Sequence, residues 1–266
     1  MAFTVATYNV LASAYIRSQL YPFTPKELLD PQRRISALAE HLASLKAAIY
    51  CLQEVEDEAF AAINRRLSAL GYRGELAKKG GGRPDGCATF FRKDMFELVR
   101  VSRVEYLDGA EEGEHSGHVA QVIVLKQANR TSGIANTHLK WDPPGTPRER
   151  QYGYRQVLQL LSECNRHAPE GTAWIICGDL NAEPDSEVVV ALRKAGFEFA
   201  HHDCTRAYTS NANGRAKMID FIFYNAGLQA RPEPLPVIDD HAPLPGPGQP
   251  SDHVAVMARF DWAVSP

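Results

Sequence analysis

At 266 residues, with 44% hydrophobic and 23% charged side chains, the chain is long enough to bury one sizeable core and has an ordinary globular composition. A formal charge of −3 excludes a global basic field as the means of holding nucleic acid, and leaves phosphate affinity to a local patch. Five cysteines (Cys51, Cys87, Cys164, Cys177 and Cys204) form no C-x-x-C pair, which argues against zinc and for free thiols in a reducing compartment.

Phe3–Val10 opens the chain as a predicted strand, with no basic-then-apolar leader before it. Pro31–Lys46 then places Ile35, Leu38, Leu42 and Leu45 on one helical face. After a strand at Ala48–Gln53, Asp57–Leu70 repeats the helical pattern with Phe60, Ile63, Leu67 and Leu70, and stops at Gly71. Lys78–Pro84, basic and glycine-rich, reads as a mobile loop. Strands are predicted at Gly86–Phe91, His118–Leu125 and Thr131–His138. A helix over Arg148–Arg166 follows, carrying Val157, Leu158, Leu160 and Leu161, then a strand at Ala173–Cys177. Ser186–Lys194 is a shorter helix, capped by Asp185 or Ser186 and ended near Gly196. Met218–Tyr224 and Val254–Phe260 are the last strands, separated by Pro232–Pro250, whose seven prolines exclude a regular helix or central strand and point to a second mobile loop. No repeat of 20–50 residues is present and no apolar run approaches the ~20 residues of a membrane span. Adjacent strands mixed with strand–helix alternation predict two packed sheets with helices outside, in one domain over residues 1–266, cytoplasmic and without membrane contact.

The polar residues fall at strand ends. Asn9 ends the first strand, Gln53-Glu54 the second, Asn136-Thr137-His138 another, and Gly178-Asp179-Leu180-Asn181 follows Trp174–Cys177. Asp220 opens Phe221–Tyr224, and Ser251-Asp252-His253 opens Val254–Val256. Any one Asp or Asn after a strand is an ordinary turn former; the set, gathered at one sheet edge, makes an acidic, amide- and imidazole-lined pit.

Such a pit suits metal-assisted hydrolysis of a phosphate ester. Oxygen donors without cysteine or clustered histidine fit magnesium or manganese, with Glu54 as direct ligand, Asn9 its near neighbour and Asp252 on the metal side. Asp179 is placed to take a proton from water, and Asn181 to orient the water or the phosphate. His138 and His253 are donors to phosphoryl oxygens, with Asp220 or Asp252 holding a ring's second nitrogen. Lys140, two residues beyond His138 and so on the same side of a continued strand, is the expected phosphate contact.

The ordered motifs Thr7-Tyr8-Asn9-Val10-Leu11, Leu52-Gln53-Glu54-Val55, Asn136–Pro143, Cys177–Ser186, Ile219–Ile222 and Ser251-Asp252-His253 resemble those of the endonuclease/exonuclease/phosphatase superfamily, across nearly the whole chain. The resemblance implies a four-layer αββα sandwich. Arg83–Phe91, the His138–Pro143 stretch with Trp141, and Ile219–Tyr224 are similar to the branch of carbon-catabolite-repressor-type deadenylases, nocturnin and the Angel proteins. That likeness implies Glu54 on magnesium, Asp179 and Asn181 at the reacting phosphate, His138 and an Asp220-paired His253 on phosphate, and Pro143 beside the base. Trp141 and Arg83 complete the expected substrate contacts. Where deadenylases carry a base-stacking aromatic before the Asp220 equivalent, this chain has Asn213-Gly214-Arg215-Ala216-Lys217, and it carries no leucine-rich recruitment region. Losing a stacking platform removes about 1–3 kcal/mol per base. The expected activity is therefore a monomeric 3′–5′ exoribonuclease with weakened poly(A) preference. The alternatives are a phosphatase on RNA 2′,3′-cyclic phosphates or on a dinucleotide such as NADP.

Overall fold

The computed structural model describes residues 2–109, 115–167, 172–202 and 207–263. Cys204 lies outside them; Cys51, Cys87, Cys164 and Cys177 are buried free thiols, as expected.

The chain runs through β1 (Phe3–Asn9), α1 (Pro31–Leu45), β2 (Ile49–Gln53), α2 (Asp57–Ser68), β3 (Tyr72–Lys78) and β4 (Gly86–Arg92). It continues with β5 (Glu97–Glu105), β6 (Val119–Gln127), β7 (Arg130–His138), α3 (Tyr152–His167), β8 (Ala173–Asp179), α4 (Glu187–Lys194) and β9 (Glu198–Phe199). The last elements are β10 (Ser210–Ala212), β11 (Arg215–Lys217), β12 (Asp220–Tyr224), β13 (Leu228–Pro232) and β14 (Val256–Trp262). Three helices, α1, α3 and α4, start where side chains satisfy their free N–H groups, whereas Glu56 ahead of α2 makes no side-chain cap. Asp30 accepts from Arg33 N at 2.9 Å ahead of Pro31, Ser186 caps α4, and the Asp142 carboxylate accepts from Tyr152 N and Gly153 N at 2.9 Å each. That last cap starts α3 at Tyr152 rather than Arg148, which lies in a preceding 3₁₀ turn.

One six-stranded sheet has the order β13-β14-β1-β2-β4-β3 and the other β5-β6-β7-β8-β12-β9. Strand alternation divides the core between them. In β1 and β2, Val5, Ile49 and Cys51 point into the space between the sheets with Ile134, Ile175, Cys177 and Ile222. Their neighbours Ala6, Tyr8, Tyr50 and Leu52 point outward beneath Leu38 and Leu42 of α1 and Ile63 and Leu67 of α2. The second sheet mirrors this, its outer face covered by α3 and α4 through Val157, Leu160, Val188 and Leu192. The layers are therefore α, β, β, α, the sandwich expected. At Gly178, with φ +148°, a Cβ would lie 1.8 Å from Thr137 O, so the close approach of β7 and β8 beside Asp179 requires glycine.

The Pro232–Pro250 segment is not a free loop. The Asn211 amide donates to the carbonyls of Asp239 at 3.0 Å and Ala242 at 2.9 Å, and Asp240 accepts from Ala216 N at 2.8 Å. Prolines deprive it of ladder hydrogen bonds, and the β10–β11 hairpin supplies anchors in their place. The glycine-rich loop is tied as well, with Gly80 N donating to Gly117 O at 2.8 Å.

Candidate active site

Chain direction brings the functional side chains together. β1 and β2 are parallel with Asn9 beside Gln53, and β7 and β8 are parallel with His138 beside Asp179. All four strands end at one edge of the sandwich. β12 runs the other way and so begins there, with Asp220 opposite Asp179. His253 reaches the same edge through a bridge to Ser210 just before β14. Directly beneath, the buried Gln53 amide donates to Asn136 Oδ1 at 2.8 Å and Thr7 Oγ1 at 3.0 Å, and Asn136 Nδ2 donates to Leu52 O and Ala88 O. Gln53 and Asn136 thus clamp the two sheets and do not face the pit.

The turns that follow are backbone-strained where they present the site. Leu11 (φ 56°), Glu54 (φ 58°) and Asn181 (φ 49°) all occupy the left-handed region, which leucine and glutamate seldom adopt. Asn9 Nδ2 donates to Glu54 Oε1 at 3.0 Å and to Asp179 Oδ2 at 2.9 Å, holding two carboxylates apart across the pit. Glu54 Oε2 accepts from Ala12 N at 2.9 Å, and Asp179 Oδ1 from Asn181 N at 2.9 Å. His138 Nε2 and His253 Nε2 approach Asp179 Oδ2 from either side, at 3.6 and 3.8 Å. His253 Nδ1 donates to Asp220 Oδ2 at 2.8 Å, while Asp252 Oδ1 lies 4.0 Å from His253 Nε2.

Burial and like charge dominate the electrostatics. Burial, then the Asp220 carboxylate, push Asp179 up to about 7. Burial and Asp252 raise Glu54. Burial alone would neutralise His253, yet Asp220, Asp252 and Asp179 hold it well above the ordinary imidazole value. His138 is displaced in the opposite direction by burial and by Lys79 and His118. This surplus of carboxylate charge suits a cation. Among the described residues, ligand atoms of Asp179, Asp220 and His253 lie within 4.8 Å of one another, and Glu54 and Asp252 add oxygen donors nearby.

The remaining expected residues lie on the rim. Lys140, Trp141, Pro143, Asn181 and Lys217 line a cavity of about 260 Å³. β7 ends at His138, so strand alternation does not extend to Lys140; its ammonium lies 3.4 Å from the Tyr152 ring centre. Trp141 is half exposed, and Arg83, which does not line this cavity, donates to Ser116 O at 3.2 Å.

Sequence reasoning missed the layer behind the pit. Lys79, placed by its loop among solvated charges, is buried in an ion pair of 2.8 Å with Asp85, and Tyr15 Oη donates to Asp85 at 2.7 Å. His118 Nδ1 meets His138 O at 3.0 Å, and Tyr21 Oη donates to Asp252 at 3.2 Å. The Arg34 guanidinium, buried on α1, donates to the carbonyls of Val10, Leu11 and Pro250, joining the loop after Asn9 to the segment before Asp252. Opposite charges on both sides of Gly80–Gly82 were the one available signal for the Lys79–Asp85 pair.

The model of the endonuclease/exonuclease/phosphatase family matches residues 6–253. The 2′,5′-phosphodiesterase 12 of Homo sapiens is 24% identical over 96% of this chain and 51% of its own length. The CCR4-Not complex 3′-5′-exoribonuclease subunit Ccr4 of Candida albicans is 25% identical over 97% of this chain and 41% of its own. The chain thus spans about half the length of these curated relatives. The crystal structure of ANGEL2, a 2′,3′-cyclic phosphatase, superposes with a TM-score of 0.84 at 22% identity, covering 98% of this chain and 95% of that one. No helix among the described residues is long and apolar enough to cross a membrane.

Proposed function

The chain belongs to the endonuclease/exonuclease/phosphatase family, a family of phosphoester hydrolases, and from that premise we propose that it is a magnesium-dependent phosphoesterase acting on RNA 3′ ends as a 3′–5′ exoribonuclease. The observation that carries the reading is Asp179, raised to about 7 and flanked at 3.6 and 3.8 Å by the two histidines, beside a cavity of about 260 Å³ that suits a single terminal nucleoside.

Asp179 accepts the proton of the attacking water, its elevated affinity for protons matching it to a base at neutral pH. Asn9 and the Asn181 backbone hold its two oxygens in place. His253, cationic through Asp220, donates to a phosphoryl or leaving oxygen, and His138 donates from the opposite side. Glu54, with Asp252 behind it, offers oxygen donors only, which fits magnesium or manganese and not zinc. Glu54 and Asp252 would hold such a cation, which would supply positive charge toward the non-bridging phosphoryl oxygens. Pro143 and Trp141 border the terminal base, while Lys140 and Lys217, on the wall of the same cavity, bring positive charge near the phosphate backbone.

A second reading, hydrolysis of a terminal 2′,3′-cyclic phosphate, is favoured by the hairpin before Asp220. Its Asn211, Arg215 and Lys217 offer no aromatic platform for an adenine. The discriminating experiment is product analysis on oligoadenylate, other homopolymers, cyclic-phosphate-ended RNA and NADP, at matched low salt, with magnesium and with chelator. Mononucleotide release from several homopolymers with modest adenine preference, abolished by chelator, is the expected result. Phosphate processing without chain shortening selects the cyclic-phosphate reading, and release of phosphate from NADP alone overturns both.

A further inference from the structure

Lys79 and Asp85 have no part in the mechanism above, yet among the described residues they form the most enclosed ion pair, with side chains 2% and 0% exposed. The pair closes its own loop, since Lys79 N also donates to Asp85 O at 2.9 Å, and Tyr15 Oη takes the second Asp85 oxygen. A buried ion pair is a poor stability device, because desolvation offsets most of its attraction. Its position suggests a different role, because Lys79 Nζ lies 3.2 Å from His138 Nδ1.

Two donors converge on the His138 ring, Lys79 Nζ at Nδ1 and Asn181 Nδ2 at Nε2, at 3.2 and 3.0 Å. A neutral imidazole has one acceptor nitrogen, so it accepts from only one of them. The Lys79 ammonium, paired with Asp85 at 2.8 Å, gives a charge-assisted bond and cannot face an N–H without repulsion. Asn181 has an alternative partner in Leu139 O at 2.9 Å. The ammonium therefore takes the acceptor, and the ring proton goes to Nε2, the atom that faces Asp179 and the pit. His118 completes the support by donating from Nδ1 to the His138 carbonyl at 3.0 Å.

We propose that the Lys79–Asp85 pair is a positioning device that locks His138 as the Nε2-protonated neutral tautomer, so that it meets the substrate as a fixed hydrogen-bond donor. The catalytic part of this inference rests on the phosphoesterase reading; the tautomer does not.

The test is a two-bond ¹H–¹⁵N correlation spectrum of the histidine rings in the intact ¹⁵N-labelled chain, with His138→Gln assigning the signal. The expected pattern for wild type at neutral pH is a neutral ring protonated at Nε2, lost or mixed in Lys79→Met. In turnover on oligoadenylate with magnesium, Lys79→Met is expected to lower kcat by about tenfold or more with KM little changed. Wild-type His138 protonated at Nδ1 overturns the proposal and hands the role to Asn181. So does a Lys79→Met variant with raised KM, unchanged kcat and an unchanged ring, which would make Lys79 a substrate contact. The wild-type spectrum decides the matter even if Lys79→Met fails to fold. An Nε2-protonated ring in a protein inert toward every phosphate ester would sink the functional reading and leave the tautomer assignment standing.

Discussion

His138 and His253 stand at nearly equal distances from Asp179, 3.6 and 3.8 Å, but what lies behind each ring differs in sign. Behind His253 is the Asp220 carboxylate, with Asp252 close by, and the ring is held cationic despite its burial. Behind His138 is an ammonium, Lys79, with a second histidine packed edge-on at 5.7 Å, and the ring is held neutral. The same side chain thus offers a cationic donor on one flank and a neutral donor on the other. Burial alone would neutralise both; the neighbouring charge decides. An associative or dissociative phosphoryl transition state carries charge on several oxygens, and a pit with one charged and one neutral donor treats them unequally.

Removing the group between the flanks should have the largest effect. Asp179→Asn, nearly isosteric, is expected to lower kcat on RNA by about 10²–10⁴-fold, as for a lost general base, with substrate affinity kept. The same variant should stabilise the chelated protein at pH 8, with roughly half of that advantage gone by pH 5.5, because the unfolded carboxylate stays ionised down to ~3.9. The folded carboxylate titrates near 7 against ~3.9 unfolded, so it is a buried charge above 7 and a neutral group below. Thermal unfolding at the two pH values checks this. Asp220→Asn should convert the cationic flank into an ordinary one. His253 then falls toward ~6.5, and the loss of turnover should be larger at pH 8 than at pH 6, where the ring still protonates. A pH–rate profile with equal losses at both would contradict the pairing. His118→Phe, which keeps the ring packing and removes the hydrogen bond to His138 O, should cost least, about fivefold in kcat for about 1 kcal/mol.

The flanks also differ in how legible they were in the sequence. Asp220, Asp252 and His253 open strands whose apolar pattern is plain, and their spacing resembles known motifs. The fold followed from the same periodicities, because strands buried on both faces and two-faced helices write their burial into the chain. The support of His138 did not. Lys79 leaves a strand, β3, whose mixed burial lacks a clean alternation, and it enters a glycine-rich loop that reads as solvated. Only the meeting of that loop with β7 of the other sheet, which no local pattern encodes, buries it against Asp85. β5 was missed for a related reason: as an edge strand it exposes Val99 and Val101 among charges, with a bulge between Leu98 and Arg100. Gln53 and Asn136 fell at strand ends as the site residues do, but inter-sheet packing turned them on each other.

Whether one chain holds its two pit histidines in opposite states is tested most directly by titrating their ring signals in the intact, chelated protein. His253 is expected to remain an imidazolium through neutral pH and to lose its proton only well above the ordinary range, while His138 remains neutral down to well below that range. Parallel titration of both rings near ~6.5 would contradict the opposed states.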